Sequence, residues 1–263
     1  MKKIWFVIFI IAIFLIAAAS FIFFINKKAS NNVNLNFSAA IEALNKGNYL
    51  EAKKLYKKVL EEIKDENKLN EIQKTIEDIN IKILFSQILD ECSTQYVVKP
   101  SDSLAKIAKE FNTTVELIKR ANNLKSDVIQ PKQKLKVNTC KFSILIDKSQ
   151  NLLFLKRAEE IIKTYVVSTG KNNSTPVGNF KIITKLTNPT WFKAGAVIPP
   201  DSPENILGSR WLGFNLKGYG IHGTTEPDNL GKQVTSGCIR MRNSDVEELY
   251  DIVPEGAEVV VVD

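Results

Sequence analysis

Four textures of apolar and polar positions follow one another along the chain. The first runs from Ile4 to Ile25 without a charged residue, between Lys2-Lys3 and Lys27-Lys28. A helix needs roughly 20 apolar residues to cross a bilayer, and the run is longer than the apolar core of a cleaved leader. It predicts an uncleaved single transmembrane anchor over residues 1–28, with the bulk of the chain outside the cytoplasm. The flanking lysines sit at both ends, so the positive-inside rule adds little to that orientation. After a polar, Asn-rich linker, apolar residues recur at spacings of three and four, as in Ala52, Leu55, Tyr56, Val59 and Leu60. That period predicts two helices joined at Lys46-Gly47-Asn48 and a third over about 70–89, so that 29–90 is a linker and a helical stalk.

The third texture is short, in the order strand (96–98), helix (103–111), helix (114–121), strand (133–137). Ser101-Asp102-Ser103 and Thr113-Thr114 supply N-cap chemistry for the two helices. From Lys141 onward the period changes to two, with Ile144 and Ile146, Leu153 and Leu155, Tyr165 and Val167. This predicts a mainly-β region with turns at 148–151 and 157–160 and a closing strand in "GAEVVVVD". One helix interrupts it at "SDVEELYDIV", where Ser244 or Asp245 is expected as the cap.

Composition changes this picture little. The chain has 263 residues and a formal net charge of +7. The excess lysine accompanies abundant Asn and Ile. There is no block of consecutive basic residues and no interleaving of arginine with aromatics, so nucleic acid is not the expected partner. One histidine and three cysteines offer no cluster for a metal, and neither metal nor cofactor is expected. Outside the cytoplasm two cysteines can pair and a third is left as a candidate reactive thiol.

That thiol and the only histidine fall in one glycine-rich stretch, "GIHGTTEPDNLGKQVTSGCIRM", which holds His222 and Cys238. A cysteine is nucleophilic as the thiolate. A histidine beside it takes the proton, provided a third group holds the other ring nitrogen. Backbone N–H groups near Gly237 and Cys238 are candidates for an oxyanion hole. Spacing alone leaves an inert buried thiol and an ordinary histidine as the competing reading.

Two resemblances sharpen the expectation. Tyr96-Val-Val-Lys-Pro100, Asp102-Ser-Leu104, Ile107-Ala108, Asn122-Asn-Leu124, Ile129, Pro131 and Leu135 together resemble a LysM domain over 94–138. The likeness implies a βααβ module that binds N-acetylglucosamine-containing glycans, although Ser101 and Lys132 stand where that pattern usually has glycine. With the two strands antiparallel, Cys92 and Cys140 would lie close enough for a disulfide. The stretch around His222 and Cys238, with Ser168-Thr-Gly170, Thr175-Pro-x-Gly178-x-Phe180 and Leu207-Gly-Ser-Arg-Trp211, is similar to the YkuD-type L,D-transpeptidase catalytic domain over 141–263. The residues 37–60 resemble a single tetratricopeptide hairpin, with Gly47 and Tyr49 near their usual places.

Pattern and resemblance together imply a multidomain protein: a single transmembrane helix and an α-helical stalk from the apolar pattern, and a βααβ LysM module and a β-sandwich catalytic domain from the resemblances. The YkuD-type resemblance implies Cys238 as nucleophile, His222 as base and Gly223 as the residue whose carbonyl steadies that base. Arg240 and Arg210 would meet substrate carboxylates, and Ser236 and Gly237 would line the substrate; Ser236 replaces the usual histidine. Peptidoglycan is the implied partner, through glycan and stem peptides, and the 37–90 helices are either a spacer or a protein-binding surface. The implied reaction is 3→3 cross-linking of stem peptides through a thioester. L,D-carboxypeptidase trimming, a non-catalytic wall-binding protein and an exported cysteine protease are the alternatives.

Overall fold

The computed structural model describes residues 33–193 and 195–263. The expected membrane anchor lies outside the described residues, and among those residues no helix is long and apolar enough to cross a membrane. The described residues divide into two compact units, the first ending at Ile79 and the second spanning Asn80–Asp263.

In the first unit, residues 33–45 are helical (α1) and are followed by a turn at Gly47, whose φ of 75° is open to glycine. Helix α2 (Tyr49–Glu62) returns against α1, and the Phe37 and Tyr56 rings meet edge to face at 6.0 Å. The third helix, α3, runs Glu66–Leu84, earlier at both ends than the period suggested. Asp65 sets its start by accepting hydrogen bonds from the backbone N–H groups of Asn67 and Lys68 at 3.0 and 3.1 Å. The expected helical hairpin is present, and α3 then leads directly into the first strand, with no second such hairpin among the described residues.

The second unit opens with a βααβ module. Strands β1 (Ser93–Val97) and β2 (Lys134–Asn138) pair antiparallel, with Tyr96 opposite Leu135. Between them stand α4 (Leu104–Glu110) and α5 (Val115–Ala121), capped by the side chains of Ser103 and Thr114. Ser101 and Lys132 adopt φ of 68° and 71°, the left-handed conformation that glycine supplies without strain. Cys92 and Cys140 form a disulfide with Cα atoms 5.1 Å apart.

The module is welded to the β region that follows. Arg157 donates to both carboxylate oxygens of Asp90 and to the Cys92 carbonyl, all three groups being nearly water-free. On the other side, Leu117 of α5 is part of the same apolar core as Ile144, Leu155 and Leu249. Thr114 donates to the Asp251 carbonyl, and Arg120 pairs with the Asp251 carboxylate at 2.9 Å.

The β region is one continuous order of eight strands. Its strands are β3 (Phe142–Asp147), β4 (Leu152–Arg157), β5 (Glu160–Val166), β7 (Gly178–Thr187), β10 (Arg210–Phe214), β11 (Gly220–His222), β13 (Ile239–Arg240) and β14 (Glu258–Val262). The order is β13-β11-β10-β7-β14-β3-β4-β5. Strand β7 changes partner along its length, pairing β14 through 178–181 and β10 through 182–187, so that the strands wrap one core from two sides in the manner of the expected β-sandwich. Two small pairs complete the set: β6 (Thr169–Gly170) with β12 (Gln233–Thr235), and the hairpin β8 (Trp191–Lys193) with β9 (Ala196–Ile198). Alternation of apolar residues in β3 and β4 places Ile144 opposite Leu155 and Ile146 opposite Leu153, all buried. Ile239 at one edge and Tyr165 at the other belong to one core, so the sheet curls around it. Its edges meet where Ser168, just past β5, bridges Arg240 of β13.

Helix α6 (Asn243–Ile252) closes one end of the roll by burying Val246, Leu249 and Ile252, each stabilising by about 1.5–3 kcal/mol. Neither Ser244 nor Asp245 caps it. The N-cap position is Arg242, with no side-chain cap, and both expected residues lie inside the first turn. The side chain of Asn243 is engaged instead with the loops beside the site.

Candidate active site

The site forms at the seam of the rolled sheet. Strands β11 and β13 are parallel neighbours, with Ile221 opposite Ile239 and His222 opposite Arg240. Cys238 directly precedes β13, so this register sets it level with Gly220, diagonal to His222 on the same face of the sheet. Sequence separation is erased by a single strand pairing.

His222 is buried and held from two sides. Its ring stacks on Trp211, the residue opposite it on β10, with centroids 5.9 Å apart and planes at 19°. Its Nδ1 lies 2.7 Å from the Gly223 carbonyl. A carbonyl oxygen only accepts, so Nδ1 carries the proton and Nε2 presents its lone pair. Burial pushes the imidazole down to about 4; the Gly223 carbonyl opposes this and the nearby Arg240 charge adds to it. At neutral pH the ring is therefore an uncharged acceptor of a proton.

Cys238 is the free, half-buried thiol, and it donates to the Gly218 carbonyl at 3.3 Å. Burial pushes its pKa up, against the Gly220 backbone N–H and the Arg240 charge, which pull it down. The resting pair is thus thiol and neutral imidazole. Proton transfer between them is left to the moment of attack.

The loop into Cys238 is fixed by small polar groups. Thr235 Oγ1 donates to the Cys238 carbonyl at 2.6 Å and accepts from the Gly237 N–H at 3.2 Å. The Gly237 N–H is therefore turned inward. The role of Gly237 is conformational: its φ is 131°, and a Cβ there would lie 2.8 Å from the Tyr219 ring. Its carbonyl accepts from Thr175 Oγ1 at 2.9 Å, and that oxygen accepts from the Gly170 N–H at 2.8 Å. Ser236 is exposed at the rim.

Gly223 is a glycine for a different reason. A Cβ there would lie 2.1 Å from Asn243 Oδ1. That oxygen accepts from the N–H groups of Ser209 and Thr224 at 3.2 and 3.0 Å, while Asn243 Nδ2 donates to the Thr224 carbonyl at 3.0 Å. The amide ties together the two loops that carry Ser209 and Thr224, directly beside Gly223.

The structure gathers Cys238, His222, Gly223, Gly237, Ser236 and Arg240, and it leaves Arg210 out. Arg210 adjoins Trp211 on β10, and successive strand residues face opposite ways. Trp211 meets His222, whereas the Arg210 guanidinium lies 5.4 Å over the Tyr250 ring and 4.0 Å from Glu247, both on α6. Arg240 is buried, with its backbone clamped by Ser168 at 2.8 and 2.9 Å. Its Nη1 pairs with Glu226 at 3.0 Å. Trp211 and Thr175 occur in the quoted motifs only as letters, without a role, and Asn243 and Glu226 are given none from sequence. Only for Trp211 was a signal at hand, in the alternation of β10.

A buried neutral imidazole locked in one tautomer, on the strand next to a free thiol, is an arrangement that can support acyl transfer on a mainly-β scaffold. The chain matches the L,D-transpeptidase catalytic domain (YkuD) over residues 141–261 and the LysM domain over 96–138. The YkuD protein of Bacillus licheniformis is 34% identical over 174 residues, covering 63% of this chain and 97% of its own length. The YqjB protein of Bacillus subtilis is 39% identical over 126 residues, 46% of this chain and 70% of its own. Among solved structures, the catalytic domain of an E. faecium L,D-transpeptidase aligns at 22% identity and a TM-score of 0.39, over 46% of this chain and 97% of that one. This chain belongs to the YkuD-type L,D-transpeptidase family and carries a LysM domain beside the catalytic one.

Proposed function

We propose that the protein is a membrane-anchored, wall-bound L,D-transpeptidase that forms 3→3 cross-links between peptidoglycan stem peptides. His222 Nε2 takes the Cys238 proton. The thiolate attacks the carbonyl of the third stem residue, an L-centre bonded to D-alanine. The imidazolium returns the proton to the departing amine, D-alanine leaves and a thioester remains on Cys238. A side-chain amine of a second stem attacks the thioester, loses a proton and regenerates the thiol. Arg240 meets a substrate carboxylate, with Ser236 and Gly237 lining the approach. Residues 1–28 anchor the chain with its domains on the wall side, and the LysM module grips glycan, which raises the local concentration of stem peptides. Residues 37–90 serve as a spacer.

The observation that supports this most directly is the tautomer of His222, fixed by the Gly223 carbonyl so that Nε2 keeps a free lone pair, on the strand paired beside the one that Cys238 precedes. The test is intact mass of the full chain in detergent micelles after incubation with a disaccharide-tetrapeptide. The expected result is a thioester adduct and released D-alanine, both absent in Cys238→Ala. A 3→3 dimer supports cross-linking; a tripeptide alone assigns the chain to trimming instead. No adduct and no product overturn the catalytic reading.

A further inference from the structure

Arg240 and its partner are unequal. The Arg240 side chain is 9% exposed, whereas that of Glu226 is 56% exposed. Glu226 lies on the loop between β11 and β12 and is the only partner of the guanidinium among the described residues, through Nη1 at 3.0 Å. Arg240 Nε is buried without a partner. A buried cation without a counter-charge is strongly disfavoured, so Arg240 holds an anion at all times. An exposed carboxylate has no such need. Glu226 is solvated on its outer side, and its other contact is Asn229 Nδ2 at 3.4 Å. The cation is fixed, since the Arg240 backbone is clamped to Ser168. The loop is tied at Thr224 by Asn243 and at Asn229 by Ser168 Oγ, which accounts for how Glu226 is presented between the two ties.

We infer that Glu226 is a specificity-determining residue: its carboxylate occupies Arg240 in the free protein and is exchanged there for a carboxylate of the incoming peptide. This rests on the proposed function and adds to it a rule of selection. The exchange leaves Arg240 paired throughout, and it returns to water a carboxylate that is already half in water. A peptide whose carboxylates are amidated has nothing to offer Arg240, leaves Glu226 in place and must bind beside an occupied cation. The site therefore selects anionic over amidated stems, and Glu226 sets the threshold that the anion has to exceed.

The test measures binding and does not depend on turnover. The full chain carrying Cys238→Ala is titrated with a disaccharide-tetrapeptide, once with free carboxylates and once with those carboxylates amidated. The same pair of titrations is made with Glu226→Gln added. The expected result is a dissociation constant about fivefold lower for the free-carboxylate peptide, the size of one exposed ion pair, and no change for the amidated one. Equal changes for both peptides, or weaker binding of both, would mean that Glu226 only holds its loop. Weaker binding of the free-carboxylate peptide alone would mean that Glu226 grips the ligand directly. Either result overturns the exchange. The catalytic reading fails by a different sign, the absence of an adduct when the chain with Cys238 intact is incubated with either peptide, and the two failures are distinguishable.

Discussion

Replacing Gly223 by alanine places a methyl group 2.1 Å from Asn243 Oδ1, 3.1 Å from the Ser209 nitrogen and 3.2 Å from Asn243 Cγ. The first separation is far inside van der Waals contact, so the amide has to leave. With it go the bonds from Ser209 N–H, Thr224 N–H and to the Thr224 carbonyl. At about 1 kcal/mol for each, Gly223→Ala is expected to destabilise by about 3 kcal/mol. Asn243→Ala removes the same three bonds without a clash and is expected to do the same. In the double variant the obstacle is gone before the methyl arrives, so its loss is also about 3 kcal/mol, where additivity demands about 6. The assay is urea unfolding of the four chains at pH 7, with thioester formation followed in parallel. Thioester formation should fall in both single variants, because each releases the Thr224 backbone bonds that hold the loop bearing the Gly223 carbonyl, which orients His222. A double variant whose loss equals the sum of the singles, within about 0.5 kcal/mol, would refute the contact as the reason for this glycine.

The folded protein resists protonating His222 until about pH 4, while the unfolded chain protonates it near 6.5. Stability contributed by the neutral ring is thus lost as pH falls through that window, by about 3 kcal/mol. Urea unfolding at pH 7 and pH 4 should show His222→Gln losing less by that amount; parallel losses would exclude the assignment. Removing the disulfide by Cys92→Ala with Cys140→Ala should destabilise the second unit by about 4 kcal/mol, the closure entropy of its 48-residue loop, measured by denaturant midpoint. Lys132→Gly should raise thermal stability by about 0.5–1 kcal/mol, because it relieves a left-handed backbone; a loss would show that the lysine side chain matters more.

Much of the site was legible because its chemistry is local. Cys238, His222 and Gly223 fall within one stretch, and the roles of a thiol, an imidazole and a small residue beside it are set by their own chemistry. Arg210 was misplaced because a motif is read as a run of letters, whereas a strand turns alternate letters to opposite faces. Asn243 looked like an ordinary helix start. Nothing local shows that its amide reaches back to Ser209 and Thr224. The βααβ module was legible from its period and caps, with strand ends shifted by a few residues. Closure of the sheet through Ser168 and Arg240 was not, since pairing between distant segments leaves no mark on the period of either one.

The weld between the βααβ module and the sheet has a mechanical consequence. With a disulfide and the Arg157–Asp90 pair on one side, and Leu117 sunk into the catalytic core on the other, the two domains cannot swing independently. The distance from the βααβ module to the Cys238 sulfur is then a constant of the molecule. Under the function proposed above, the molecule would work as a caliper: the repeat of the glycan strand, counted from a bound sugar, would set which stem peptide comes into reach.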